Sequence, residues 1–269
     1  MVETSDEYGL NKAYCPQKAA FLCRLSEAAY LPKKILFNAV QNASFPTQAT
    51  HKKFFSFAGT QCFTAKYRGF RVLVFRGTEL DLQDIKTDLK FRRRDLCNSC
   101  HSGAVHRGFL GAVNPVLNDL KQALKDDDTP LYIAGHSLGG ALAVLSAAFD
   151  VVPHDLIQVY SFGSPRVGDH KFSITQDKKI THHRVVYDLD VVPMLPFLAL
   201  GFRHSGTLHF LEENGTKLLN PRLPRLLLAL AISFFKGVYK TWSFRKPLNC
   251  HRVSAYVDAL EKELGGAVG

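Results

Sequence analysis

A serine set among glycines is the feature of this 269-residue chain that is best suited to chemistry. Gly135-His136-Ser137-Leu138-Gly139 has the G-x-S-x-G pattern, in which small residues let the backbone turn sharply and present the serine hydroxyl. The pattern alone is weak, because glycine is a common residue. Its context strengthens it, since a short apolar run precedes the serine and an alanine- and leucine-rich run follows. A strand, a tight turn and a helix are the setting that a serine nucleophile requires.

Such a serine needs a base to accept its proton, and the base needs an acid to orient it. In hydrolases with this turn, the acid and then the histidine follow the serine along the chain. Asp190 follows the β-like run Arg184–Tyr187, and Asp188 is its rival because both would share one face of a strand. The residues leave three candidates for the base: His204, His209 and His251.

The elements around these residues alternate between strands and helices. Hydrophobic periodicity predicts helices over 19–30, 109–124 and 138–149, and strands over 54–57, 61–67, 70–75, 131–134, 156–162 and from 184 onward. The first two strands are expected to be antiparallel, and the apolar run Val72–Phe75 predicts a strand buried on both faces. This alternation predicts an α/β fold, a mostly parallel sheet with helices on both faces, in a single domain over 1–269.

Charge and cysteines narrow the range of partners. The formal net charge of +10 favours anionic surfaces, whereas zinc-finger, phosphate-loop and RNA-binding signatures are missing, so nucleic acid is not expected. Cys97-Asn98-Ser99-Cys100-His101 formally matches a haem-attachment pattern, but it lies in a polar stretch, which favours two loop thiols or a local disulfide. No metal or cofactor is expected.

Two segments, the N-terminus and an apolar stretch near the end of the chain, bear on where the protein is located and whether it meets a membrane. The first seven residues are acidic and polar, unlike a signal peptide, so we expect a cytoplasmic protein, export by another route, or a signal already removed. The apolar stretch Leu226–Phe235 is too short to span a membrane and is expected to form either a packed helix or a lipid-contacting one. Oligomeric state stays open.

Five segments, in this order, resemble the class 3 lipases, the family of the filamentous-fungal triacylglycerol lipases. The resemblance runs from about Phe70 to Tyr256 and is carried by Val74–Thr78, His106–Phe109, Gly135–Gly140, Ser161–Asp169 and Asp190–Pro193. It implies an α/β-hydrolase fold with a helical lid at about 79–96, whose apolar face would carry Leu82, Ile85 and Leu89.

The same resemblance assigns roles to individual residues. It implies Ser137 as nucleophile, Asp190 as orienting acid and His251 as base, with Thr78 and the backbone N–H of Leu138 forming the oxyanion hole. His251 is similar to the histidine of a late H-x-x-x-Y pattern, although here the tyrosine, Tyr256, comes one residue later. Outside the catalytic group, we expect Arg76 and Arg166 to form structural ion pairs.

The activity implied is cleavage of acyl esters through an acyl-enzyme, most simply by a triacylglycerol lipase or carboxylesterase. Alternatives on the same scaffold are a phospholipase A1 or a feruloyl esterase, and a non-catalytic lipase-like binding protein is the remaining option. The expected partner is an acyl-ester lipid, with contact to a lipid or anionic surface through the lid and the basic run Arg92–Arg94.

Overall fold

The computed structural model describes residues 12–43, 48–77, 93–95, 103–213, 215–221 and 249–266. Most of the predicted lid, Thr78, both cysteines of the C-x-x-C-H sequence and the apolar stretch 226–235 lie outside the described residues. No helix among the described residues is long and apolar enough to cross a membrane.

The described residues contain both strands and helices, which alternate in the middle of the chain. The strands are β1 (Thr50–Phe57), β2 (Thr60–Tyr67), β3 (Phe70–Phe75), β4 (Arg93–Asp95), β5 (Ala104–His106), β6 (Leu131–His136), β7 (Ile157–Phe162), β8 (Gly168–Asp169), β9 (Thr181–Tyr187), β10 (Phe202–Arg203), β11 (Thr207–Leu211) and β12 (Lys217–Leu219). The helices are α1 (Pro16–Ala28), α2 (Lys33–Asn42), α3 (Arg107–Leu124), α4 (Leu138–Ala148), α5 (His170–Lys179) and α6 (Val253–Gly266). Short 3₁₀ turns lie at His154–Leu156, Val192–Met194 and Leu198–Leu200.

Eight of these strands form the main sheet, in the order β1-β2-β3-β6-β7-β9-β11-β12. The pairs β1–β2 and β2–β3 are antiparallel, as is β11–β12 at the other edge. The four pairs between β3 and β11 are parallel. The prediction of a mostly parallel sheet with an antiparallel first pair is therefore confirmed.

Helices cover both faces of this sheet, and the side chains of β3 contribute to the core on each face. Val72 and Val74 enter the core that contains residues of α1 and α6, whereas Leu73 and Phe75 enter the core that contains residues of α3 and α4. Alternate side chains of a strand point to opposite faces, so all four are buried. The continuous apolar run was therefore correctly predicted to be a strand buried on both faces.

A second, four-stranded sheet joins β10, β8, β5 and β4 in that order, with antiparallel pairs. The first residue of α3 follows β5 of this sheet directly. The His106 ring accepts a hydrogen bond from the backbone N–H of Phe109, which places the start of α3 earlier than the apolar pattern predicted. The role of His106 in the structure is thus to cap a helix.

Candidate active site

Ser137 occupies the turn between the end of β6 and the start of α4. Its backbone has φ of 58° and ψ of −129°, a conformation that L-residues rarely adopt. Its N–H donates to the carbonyl of Phe162 on β7 at 2.9 Å, which ties the turn to the neighbouring strand. The strand and the helix on either side hold a strained serine in place at the carboxyl end of the parallel strands.

Three glycines around Ser137 lie where there is no room for a side chain. A Cβ on Gly135 would collide with the backbone of Gly139, and a Cβ on Gly139 would collide with the carbonyl of Phe75. A Cβ on Gly140 would lie 2.8 Å from the Cβ of Ser164. The turn can pass so close to β3 and β6 only because these positions lack side chains.

His251 bridges Ser137 and Asp190. Its Nε2 lies 2.9 Å from Ser137 Oγ, and its Nδ1 lies 2.9 and 3.0 Å from the two carboxylate oxygens of Asp190. A carboxylate only accepts, so Nδ1 carries the proton and Nε2 is left as the acceptor for the serine hydroxyl. This is the arrangement in which a histidine can remove the proton of a serine.

Asp190 is buried and receives two further hydrogen bonds. The backbone N–H of Val192 donates to Oδ1 at 2.9 Å, and the hydroxyl of Tyr256, in the first turns of α6, donates to Oδ2 at 2.5 Å. The pKa of Tyr256 is raised well above its ordinary value, by burial and then by the Asp190 charge, so its hydroxyl stays protonated and remains a donor. The hydroxyl also accepts from the backbone N–H of Tyr187 at 3.2 Å.

The structure separates the candidates that the residues alone left open. Asp188 has φ of 42° and accepts from the Cys250 thiol, so the chain turns there and Asp188 and Asp190 do not share a strand face. His204 donates to the carbonyl of Pro193 at 2.7 Å.

The remaining candidate histidine also lies apart from the serine. His209 Nε2 lies 3.2 Å from His183 Nδ1, inside the core. Of the three candidate histidines, His251 is the one whose ring contacts Ser137.

His136, the residue before the serine, contacts both the ring and the backbone of His251. Its Nε2 donates to the backbone carbonyl of His251 at 2.7 Å, and its Nδ1 accepts from the hydroxyl of Tyr30 at 2.9 Å. Burial, and then the neighbouring His251, hold the pKa of His136 well below its ordinary value, so the ring is neutral. Sequence reasoning gave His136 and Tyr30 no role, since their contacts span more than a hundred residues and leave no local pattern.

Of the two predicted oxyanion donors, Leu138 lies among the described residues and Thr78 does not. Leu138 is the first residue of α4, so its N–H belongs to a helix N-terminus, where the dipole favours negative charge. Thr78 lies outside the described residues. The described residue before Thr78 is Gly77, and it packs closely against the turn that carries Ser137. A Cβ on Gly77 would lie 2.6 Å from the carbonyl of His136 and 3.3 Å from Cβ of Ser137.

The described contacts of Arg76 and Arg166 are hydrogen bonds and a ring contact. Arg76 donates to the side-chain oxygen of Gln61 at 2.8 Å and lies over the Tyr30 ring. Arg166 donates to the backbone carbonyls of Met194 and Pro196. Backbone carbonyls accept hydrogen bonds from a guanidinium, and such partners cannot be recognised from sequence spacing.

A mostly parallel sheet with a serine at a strand-to-helix turn, followed in chain order by an aspartate and a histidine, defines the α/β-hydrolase class. Comparisons with known proteins place the chain within that class. The family described as Lipase (class 3) matches residues 72–200 of this chain.

Individual relatives agree with the family match. The chain is 35% identical over 153 residues to "Secreted mono- and diacylglycerol lipase 1" of Fusarium solani, covering 52% of this chain and 44% of that protein. It is 36% identical over 122 residues to a lipase of Rhizomucor miehei, covering 41% and 33%. The chain thus spans less than half of the length of these curated relatives.

A solved structure of the Rhizomucor miehei lipase in complex with its propeptide is similar in fold. The TM-score is 0.65 at 25% identity, and the match covers 76% of this chain and 69% of that one. The α/β-hydrolase fold predicted from the five segments is therefore confirmed, and so is the resemblance itself.

Proposed function

We propose that this protein is a serine ester hydrolase of the lipase type, which cleaves acyl esters through an acyl-enzyme. The observation that carries the proposal is the continuous hydrogen-bond path from Ser137 through His251 to Asp190. The strained backbone of Ser137 at the N-terminus of α4 adds support, because such strain persists only where the surroundings enforce it.

The reaction follows from the positions of the protons. His251 Nε2 accepts the proton of Ser137 Oγ as that oxygen bonds to the ester carbonyl carbon. The tetrahedral adduct then collapses, the ester C–O bond breaks, and His251 returns the proton to the leaving alcohol. Water, deprotonated by the same nitrogen, attacks the acyl-enzyme and releases the acid and the free serine.

Asp190 stabilises the cationic ring that forms during each transfer, and its bonds from Tyr256 and Val192 hold the carboxylate in position. We assign the backbone N–H of Leu138 and the N–H and hydroxyl of Thr78 to the developing oxyanion. Loss of one such donor typically raises the barrier by about 3–4 kcal/mol. None of these steps calls for a metal or cofactor.

The substrate we propose is an acyl-ester lipid, delivered at a lipid surface. Lipases are the proteins that this chain matches, and the chain itself carries a net charge of +10, which attracts anionic head groups. Triacylglycerol or another carboxylic ester is the first choice, with a phospholipid or a feruloyl ester as the alternatives on the same scaffold.

A fluorophosphonate probe tests the chemistry directly, because it reacts with activated serines. We expect one covalent adduct on the peptide that contains Ser137, and turnover of p-nitrophenyl butyrate. Parallel assays on triolein, phosphatidylcholine and methyl ferulate then identify the ester class. Absence of both labelling and turnover would contradict the proposal and leave a non-catalytic binding protein.

A further inference from the structure

A second path of hydrogen bonds reaches His251 through its backbone instead of its ring. The Tyr30 hydroxyl lies 2.9 Å from His136 Nδ1, and His136 Nε2 lies 2.7 Å from the carbonyl oxygen of His251. A carbonyl only accepts, so Nε2 carries the proton and Nδ1 accepts from the tyrosine. The neutral ring of His136 therefore uses both of its nitrogens, and the His251 carbonyl determines which of them carries the proton.

The carbonyl that accepts this bond belongs to a short turn. His251 and Arg252 lie directly before α6, which begins at Val253, and the N–H of Arg252 donates to the carbonyl of Asn249 at 3.2 Å. The proposed base is thus carried on a turn and not within a regular element. A hydrogen bond to its own carbonyl restrains the peptide on which its ring depends for direction.

His136 is held firmly enough to act as such a restraint. It is the last residue of β6, its side chain is buried, and it directly precedes Ser137. The centroids of the His136 and His251 rings lie 4.7 Å apart. One residue therefore connects the strand that carries the nucleophile to the turn that carries the base.

Tyr30 extends the path toward the end of β3, which leads to the predicted oxyanion residue Thr78. A Cβ on Gly77 would collide with the Tyr30 hydroxyl, and the Arg76 guanidinium lies over the Tyr30 ring at 5.7 Å. The hydroxyl is therefore confined between Gly77 and His136. A displaced Tyr30 would disturb the orientation of the His136 ring.

The path restrains the base without placing a charge beside it. Burial, and then the neighbouring His251, hold the pKa of His136 well below its ordinary value. A cationic ring at this distance would oppose the imidazolium that forms on His251 during each proton transfer. The neutral ring of His136 provides a donor and an acceptor and avoids that repulsion.

We propose that Tyr30 and His136 are positioning residues for the base. Together they fix the peptide of His251, so that its ring keeps one nitrogen on Ser137 and the other on Asp190 while protons move. Precise orientation matters, because a displacement of about 1 Å can slow an enzymatic reaction about a hundred-fold. This inference rests on the proposed function, since it concerns the base of that reaction.

Two esters with different leaving groups separate lost positioning from lost folded protein. The alcohol of ethyl butyrate must receive a proton from the base as it leaves, whereas p-nitrophenolate leaves without one. A displaced base should therefore lower kcat/KM for ethyl butyrate more than for p-nitrophenyl butyrate. Loss of folded protein lowers both values by the same factor and leaves their ratio unchanged.

Tyr30→Phe removes the hydroxyl that orients His136 and keeps the ring. We expect kcat/KM to fall about ten-fold for ethyl butyrate and about three-fold for p-nitrophenyl butyrate. The matched control is Tyr67→Phe, which also removes a tyrosine hydroxyl, here one that donates to the carbonyl of Val40 at 3.3 Å. Tyr67 pairs with Phe70 at the start of β3, the opposite end from Gly77, so both rates should stay as in the parent.

Two substitutions at His136 test the bond to the base itself. Glutamine in His136→Gln can place an amide nitrogen near the position of Nε2 and keep the donor to the His251 carbonyl. Asparagine in His136→Asn reaches only the position of Nδ1, so that bond is lost. We expect kcat/KM for ethyl butyrate to stay within about three-fold of the parent in His136→Gln and to fall about thirty-fold in His136→Asn. Urea unfolding of each variant measures its stability.

The outcomes distinguish this inference from the proposed function. An unchanged ratio between the two esters in Tyr30→Phe would overturn the inference, as would equal rates in His136→Gln and His136→Asn. Failure of the proposed function appears in the parent protein, which would then hydrolyse neither ester.

Discussion

Within the part of the chain that the structure describes, two serine–histidine contacts have nearly equal lengths but different surroundings. Ser137 Oγ lies 2.9 Å from His251 Nε2, and Ser161 Oγ lies 2.8 Å from His182 Nε2. Distance alone therefore does not distinguish them.

Their surroundings differ in three ways. The other ring nitrogen of His251 faces the carboxylate of Asp190, whereas that of His182 lies 3.3 Å from the hydroxyl of Ser205. Ser161 lies within β7, far from any helix N-terminus of its own, and is completely buried. Burial, and then nearby cationic groups, lower the pKa of His182 to about 3, so this ring is too weak a base for a serine. A carboxylate partner and a helix N-terminus make the first pair suitable for catalysis.

The largest expected contrast is between the two serines. Ser137→Ala should lower kcat by on the order of 10⁴-fold or more, because the nucleophile is removed. Ser161→Ala should keep kcat within a few-fold of the parent and cost about 1 kcal/mol of stability, since one buried hydrogen bond is lost. Turnover of p-nitrophenyl butyrate and urea unfolding measure the two effects. Comparable losses of kcat in both variants would contradict a role as nucleophile for Ser137 alone.

The next contrast concerns the two aspartates. Asp190→Asn should lower kcat by roughly 10⁴-fold, because an amide cannot stabilise the imidazolium or select its tautomer. Asp188→Asn should retain most activity, since asparagine tolerates the positive φ of 42° there. If Asp188→Asn were the more damaging change in the same assay, Asp188 would be the orienting acid.

A smaller effect is expected at the tyrosine that donates to Asp190. Tyr256→Phe removes a buried charge-assisted bond, and we expect a loss of about 1.5–3 kcal/mol of stability or transition-state binding. Without this donor, the negative charge of Asp190 is less neutralised and stabilises the protonated form of His251 more strongly. The acidic limb of the kcat/KM profile should therefore move to higher pH. A loss of activity without any change in that profile would indicate a purely structural role.

The smallest effect is a pH dependence of stability arising at the second pair. Unfolded chains take up a proton on a histidine near pH 6.5, whereas folded His182 does so only near pH 3. The unfolded state therefore binds more protons between these values, and the free energy of unfolding falls as the pH is lowered. In His182→Gln, the decrease between pH 6.5 and 5 should be smaller by about 1.6 kcal/mol. Urea unfolding of the parent and of His182→Gln at the two pH values measures this difference. Identical decreases in the two proteins would contradict a neutral His182 in the folded state.

Much of the fold could be predicted because the signals are local. The apolar run Val72–Phe75 specifies a buried strand through its own composition, and the small residues around Ser137 specify a tight turn. The start of α3 was placed too late because His106 caps the helix with its side chain, a signal that apolar periodicity does not carry.

By itself, the sequence determined the class of the protein, the serine turn and the order of the strands and helices, because these depend on neighbours within a few residues. Only the tertiary structure decided among the candidate acids and bases. Asp188 and Asp190 became distinct because the chain turns at a positive φ directly after β9. His251 meets Ser137 across 114 residues, and such a contact is fixed by the packing of α6 against the sheet that contains β9.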